Sequence, residues 1–249
     1  MNLDPGLTAI VIATFLVAGL AKGVVGFGLP TIALALLTLA GGLFDAMALL
    51  LLPSLITNIW QAVEGGRLRA LLRRLWPFLL CAAIGTLAGL RVGTGFDPGL
   101  LVLLLGLLLV LHGLSGLAGW KLRVAERREP LAGPLVGALN GVLTGLTGSF
   151  VVPGVMYLQA LALPRDRLVQ ALGILFTVST LALMAGLGSD GLLTADLGIL
   201  SAIGVPAALA GMMVGRRIRR LLPERRFRQV FQVAILLLGL SVMVSAVAP

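Results

Sequence analysis

Acidic residues are scarce in this chain, and cysteine, histidine and tyrosine occur once each. A single cysteine, Cys81, permits no intramolecular disulfide and no cysteine-built metal cluster. One histidine, His112, leaves no paired His/Glu spacing for a metal ion and no base beside a nucleophile, and no phosphate-binding Walker sequence is present. No catalytic residue and no metal or cofactor ligand set is therefore assigned. Aromatics make up only 5% of the residues, too few for a base-stacking platform. The net charge of +9 and pI near 11.5 are therefore not read as a nucleic-acid signature. The ten Asp and Glu all fall in or beside loops between apolar runs, which argues against sodium or divalent-cation sites built on intramembrane carboxylates.

What remains is apolar. Hydrophobic residues make up 59% of the chain and the mean hydropathy is +1.08. Apolar segments recur at 7–21, 29–40, 46–63, 75–91, 100–118, 131–145, 150–163, 168–187, 196–215 and 227–247. Many are long enough to cross a hydrocarbon core of roughly 30 Å. In lipid an isolated segment satisfies its own backbone only as a helix. The expected class is an all-α polytopic protein of the cell (inner) membrane. Asp4 and Pro5 read as an N-cap and first helical residue, and the first eight residues lack the positive region of a secretory signal.

The cations set the expected topology. Seventeen of nineteen Lys and Arg lie in segments 64–74, 120–130, 163–167 and 216–228. Such loops stay cytoplasmic, which places both termini outside. The segment Arg216–Arg228 reads as an anchor for anionic lipid, and Trp60, Trp76 and Trp120 as interfacial residues.

The chain repeats itself. Gly19, Gly23 and Gly26 recur as Gly141, Gly145 and Gly148, followed by Pro30 and Pro153; further on, Gly85 and Gly89 recur as Gly211 and Gly215. The repeats are 5–118 and 131–247, joined by the basic linker 119–130. With the charge rule applied, equivalent segments run in opposite directions. The expected fold is two inverted repeats of about five apolar elements, each opening with a glycine-rich helical hairpin. Arms of about 15 residues span roughly 22 Å, so the hairpin tips are expected to reach the interior from opposite faces.

The polar residues inside apolar sequence are the candidate site. Lys22 is the one cation within an apolar region, beside Gly23, Gly26 and Gly28 of the first tip, where backbone N–H groups also suit an anion; a lysine reaching to the outer surface is the alternative. The second tip offers Thr144, Gly145, Thr147, Gly148 and Ser149, with Asn140 one turn earlier. Its hydroxyls either face an oxyanion or bond back to helix carbonyls. Asn58, with Thr57 and Gln61, matches the polar pair Ser179 and Thr180 in the second repeat. His112 is either a proton-coupling residue or a core residue. Together these favour a small oxyanion as the transported partner.

The two motifs, from Gly19 to Pro30 and from Gly141 to Pro153, resemble the paired motifs of the TauE/SafE family of sulfite and organosulfonate transporters. The resemblance extends over nearly the whole chain, including the duplication and the basic linker. The second motif, with Ser149, Phe150 and Val151 after Gly148, is less glycine-rich than the family pattern. The resemblance implies export or uptake of sulfite or another small sulfur-containing anion, and with the inverted repeats the expected function is a secondary transporter of sulfite or a small organosulfonate working by alternating access, one repeat moving against the other. An anion channel, or a carrier of another small carboxylate or oxyanion, is the alternative.

Overall fold

The computed structural model describes residues 4–119, 123–219 and 224–247, the last segment without side-chain detail at 224–226 and 228. Trp120, Lys121 and Arg220, and the side chains of Arg225, Arg226 and Arg228, which the sequence assigned to the interfacial belt and the basic segments, lie outside the described residues. Among the described residues the chain is helical and has no strand. Its α-helices are α1 (Pro5–Val25), α2 (Leu29–Gly41), α3 (Leu43–Glu64), α4 (Leu68–Gly93), α5 (Pro98–Ala118), α6 (Glu129–Thr147), α7 (Gly154–Ala160), α8 (Arg165–Ser189), α9 (Ala195–Arg219) and α10 (Glu224–Val247). Seven of these helices are long and apolar enough to cross a membrane, with α2, α6 and α7 outside that set.

Local chemistry explains the helix ends. Asp4 caps α1 by accepting from the Gly6 N–H at 2.9 Å, with Pro5 in the first turn as expected. Asp97 caps α5 in the same way, accepting from Gly99 at 2.8 Å. The left-handed Gly26 (φ +93°) ends α1 and the left-handed Gly28 (φ +110°) opens α2, a conformation that side-chain-bearing residues rarely adopt.

Two expectations about the arms are corrected. The first arm is not a 15-residue half-span: α1 has 21 residues, about 31 Å at 1.5 Å per residue. Its helix runs through Lys22 and Gly23, because glycine inside an apolar run loses its helix-breaking cost when its missing side chain lets another helix close in. The return arm of the second hairpin contracts to the seven-residue α7, since residues 148–153 pass from a left-handed glycine to Pro153 without a helical turn. The basic segments are also less loop-like than expected. Arg69, Arg73 and Arg74 sit in α4, and Arg216, Arg217 and Arg219 continue α9.

The helices associate through the repeated glycines. A methyl group added at Gly19 would stand 2.3 Å from the Ala208 carbonyl oxygen, and one at Gly211 would stand 2.2 Å from that of Leu16. The same interlock joins α6 to α4: added methyls at Gly141 and Gly145 would stand 2.2 Å from the carbonyl oxygens of Ala82 and Thr86. Such approach gains dispersion and close dipolar contact where lipid offers no hydrophobic drive. The most extensive pairings are α4 with α6, α1 with α9, α5 with α10 and α3 with α8. Each joins a helix before the basic linker to one after it, and exchanging the two halves maps the set onto itself.

At the centre, α3 and α8 are the most buried of the long apolar helices, whereas α9 and α10 expose most of theirs. Outward residues such as Val17, Trp76, Leu135 and Val244 are exposed and apolar, as a lipid-facing surface requires. Pro53 inside α3 has no N–H to give the Leu49 carbonyl. Ser201 of α9 replaces it, donating to Leu49 O at 2.8 Å. The basic segments meet at one end of the molecule. There Arg74 of α4 pairs with Glu129 of α6 at 2.6 Å, and the Arg67 N–H donates to Gln170 of α8.

Candidate anion site

Lys22 is the buried cation among the described residues, only 2% exposed. It faces neither lipid nor the outer surface. Its ammonium donates to the Thr57 hydroxyl at 3.1 Å and to the Asn58 side-chain carbonyl, both on α3. Thr57 donates onward to the Pro53 carbonyl at 2.7 Å, and the Asn58 amide donates to Ser54 Oγ at 2.8 Å. Ser54 then meets Thr180 of α8 at 3.4 Å. A continuous polar seam thus runs from Lys22 through the middle of the α3–α8 pair.

The ammonium has neutral oxygens as its recorded partners, and no carboxylate pairs with it among the described residues. A buried charge is normally paired. Lys22 is therefore a buried amine held by polar but uncharged partners.

Lys22, Gly23 and Gly26 form part of the wall of a cavity of about 590 Å³. Gln61, Glu64 and Gly65 of α3 and its exit line another part, Asp166, Val169 and Gln170 of α8 a third, and Met212, Arg216 and Arg219 of α9 the rest. Gln61 holds the first tip against α8 by donating to Gly26 O at 2.8 Å and to Val169 O at 2.6 Å. Gln170 answers from α8, donating to the Ala62 carbonyl of α3 at 2.7 Å.

Three expected residues of the first tip have distinct places. Gly23 lies at the α1–α9 contact as well as on the cavity wall, where an added methyl would be 2.3 Å from Met212 O. Gly26 is the helix cap whose carbonyl Gln61 binds. Gly28 is outside the cavity lining and abuts the Phe231 ring, 2.6 Å from where a methyl would stand. His112 is buried on α5 against Phe27, ring centroids 6.1 Å apart, and is not among the lining residues.

The second tip does not join this cavity. Gly148 faces Met47, near the start of α3, whereas Lys22 faces Asn58; eleven residues of helix separate those positions by about 16 Å. The expectation of one site built from both tips is therefore not met in this conformation. Thr144 donates to Ser149 O at 3.0 Å and Thr147 to Leu143 O at 2.6 Å, so these two hydroxyls close the tip on itself. Gly145 is a helix-contact glycine against α4. Among the described residues, four fully buried polar atoms of the second half nevertheless lack a hydrogen-bond partner: Asn140 Nδ2, Ser149 Oγ and Ser179 Oγ near the second tip and α8, and Gln232 Oε1 on α10.

Sequence reasoning missed Glu64, Arg216 and Gln170 as site residues. Their charge or polarity at the edge of a basic segment reads as solvated surface.

No curated protein and no solved structure matches the chain significantly. The family model described as sulfite exporter TauE/SafE matches residues 11–242, which takes in both glycine motifs, Lys22, the cavity lining and all of the helices except the start of α1 and the end of α10. The chain is a multi-pass membrane protein and belongs to the TauE/SafE sulfite exporter family.

Proposed function

We propose that the protein is a secondary transporter for sulfite or a small organosulfonate, with Lys22 as the charge that holds the anion. The observation that carries this reading is a buried ammonium on neutral oxygens at the wall of a cavity of about 590 Å³. Thr57 and Asn58 orient the ammonium from behind the cavity wall, and the Gln61 and Gln170 side chains supply polar wall. A small anion with several oxygens suits one fixed cation surrounded by such groups.

The basic end of the molecule is taken as cytoplasmic, with both termini outside. The cavity then opens inward in this conformation. The repeats are taken as inverted, 5–118 against 131–247, in keeping with the exchange of helix pairings between the halves. Under that relation Thr144 corresponds to Lys22, and Ser179 and Thr180 to Thr57 and Asn58. The unpartnered Asn140, Ser149 and Ser179 atoms would then line the pathway when the site faces outward.

The glycine contacts joining α1 to α9, α6 to α4 and, at Gly173, α8 to α3 all cross between the repeats, which supports movement of mixed helix groups over rocking of one whole repeat against the other. The α3–α8 contact carries the polar chain from Lys22 to Thr180.

The test is uptake into proteoliposomes. Labelled thiosulfate should enter saturably, compete with sulfite, and accumulate above its outside concentration when sulfite is preloaded inside. Downhill flux without accumulation would favour an anion channel, and no flux by folded protein would remove the reading.

A further inference from the structure

Arg216 and Glu64 stand together in the lining of the Lys22 cavity. Arg216 Nη1 donates to Glu64 Oε1 at 2.9 Å and Nη2 to Oε2 at 2.6 Å. The guanidinium carbon lies 5.2 Å over the Trp60 ring. The pair is solvent-accessible, with side chains 35% and 54% exposed. The two residues are 152 positions apart in the chain. The backbone beneath them is tightly fixed: a methyl on Gly23, the residue after Lys22, would stand 2.9 Å from the Arg216 nitrogen.

We propose that Arg216 is an outer binding subsite for the transported oxyanion, that Glu64 occupies it as an internal stand-in, and that the anion enters by displacing the Glu64 carboxylate. This inference rests on the transport reading above. A carboxylate and a sulfite or sulfonate group each present two oxygens to one face, and the two-pronged guanidinium accepts either. An exposed ion pair contributes little to stability, so its exchange for another anion is nearly free of cost. Trp60 holds the guanidinium by a cation–π contact that does not depend on Glu64, so the fork keeps its direction when the carboxylate swings away. Arg216 and Lys22 line the same cavity, on helices in backbone contact. The anion passes from one cation to the next, and Glu64 re-forms its pair behind it. The exchange also filters by chemistry: anions unable to offer two oxygens do not release Glu64.

The experiment is a titration of purified protein with sulfite at low ionic strength, comparing wild type, Lys22→Met, Glu64→Gln, Arg216→Gln and the Glu64→Gln/Arg216→Gln double variant. Glu64→Gln should tighten Kd by about twofold to fivefold, the range an exposed pair can withhold. Arg216→Gln should weaken it by about tenfold or more. The double variant should lose the gain that Glu64→Gln gives alone. A purely structural pair would instead move both single variants in the same direction. That result, or unchanged Kd in both while Lys22→Met still abolishes binding, overturns this inference and leaves the transport reading intact. Wild-type protein that is folded but binds no sulfite overturns both. If Arg216→Gln does not fold, Arg216→Lys keeps the charge without the fork and should still weaken binding; equal affinity there overturns the inference.

Discussion

Replacing Lys22 with Met separates the anion's needs from those of the fold. Met fills the lysine stem but carries no charge. On the protein side two effects oppose each other. Removing a buried ammonium relieves an insertion cost of about 2.5–3.5 kcal/mol. Leaving the Asn58 side-chain oxygen without its donor costs about 1–3 kcal/mol, while Thr57 keeps its bond to Pro53 O. The two ranges combine to between about 0.5 kcal/mol of loss and about 2.5 kcal/mol of gain, so the thermal midpoint should hold or rise. On the anion side nothing compensates. A charge-assisted hydrogen bond is worth about 1.5–3 kcal/mol, which corresponds to roughly 10- to 150-fold in Kd. The assay is paired: sulfite affinity by titration calorimetry and melting of the same purified sample. A companion substitution, Asn58→Asp, places a carboxylate at an oxygen Lys22 already contacts. It should weaken sulfite binding at least as strongly while the melting temperature stays level or rises, because the new carboxylate takes the anion's place. An unchanged Kd in Lys22→Met at an unchanged midpoint would refute the argument that this lysine holds the anion.

Three further outcomes follow from the packing and the polar seam. Gly211→Leu drives a side chain into the Leu16 carbonyl and should destabilise the protein by about 1–3 kcal/mol, read as a lower melting temperature in detergent. Ser201→Ala strips the Leu49 carbonyl of its replacement donor and should cost about 0.6–1.7 kcal/mol. In a Pro53→Ala background, which restores the backbone donor, that cost should shrink, as a double-mutant cycle would measure. Ser179→Ala removes a buried hydroxyl that has no partner here, so stability should hold or rise; a slower proteoliposome uptake would place Ser179 on the outward pathway, and an unaltered rate would exclude it.

Much of this protein is legible without coordinates because lipid imposes a simple rule. A segment must be apolar and must close its own hydrogen bonds. Each expected apolar segment but 150–163, of which only Gly154–Ala160 is helical, therefore coincides with a helix, and Asp4, Pro5 and Asp97 announce where helices begin. Lys22 was legible too, since a cation amid apolar residues needs a reason to be there. The glycines were only half legible. Their recurrence was visible, but Gly23 and Gly145 look the same in sequence whether they break a helix or admit a neighbouring backbone. Only the partner decides, and the partners are Met212 on α9 and Thr86 on α4.

The sequence by itself determined the all-helical membrane class, the recurrence of the glycine motifs, and the scarcity of carboxylates available to neutralise a buried cation. These follow from composition, period and charge, which are properties of the chain read locally. The tertiary structure decided that Lys22 turns inward to Thr57 and Asn58, that the two glycine tips lie about 16 Å apart along α3, and that Arg216 reaches Glu64 across 152 residues. It also decided that the two halves interlock helix by helix. Those facts depend on which backbones can approach closely, and that is fixed by pairs of glycines and carbonyls distant in sequence.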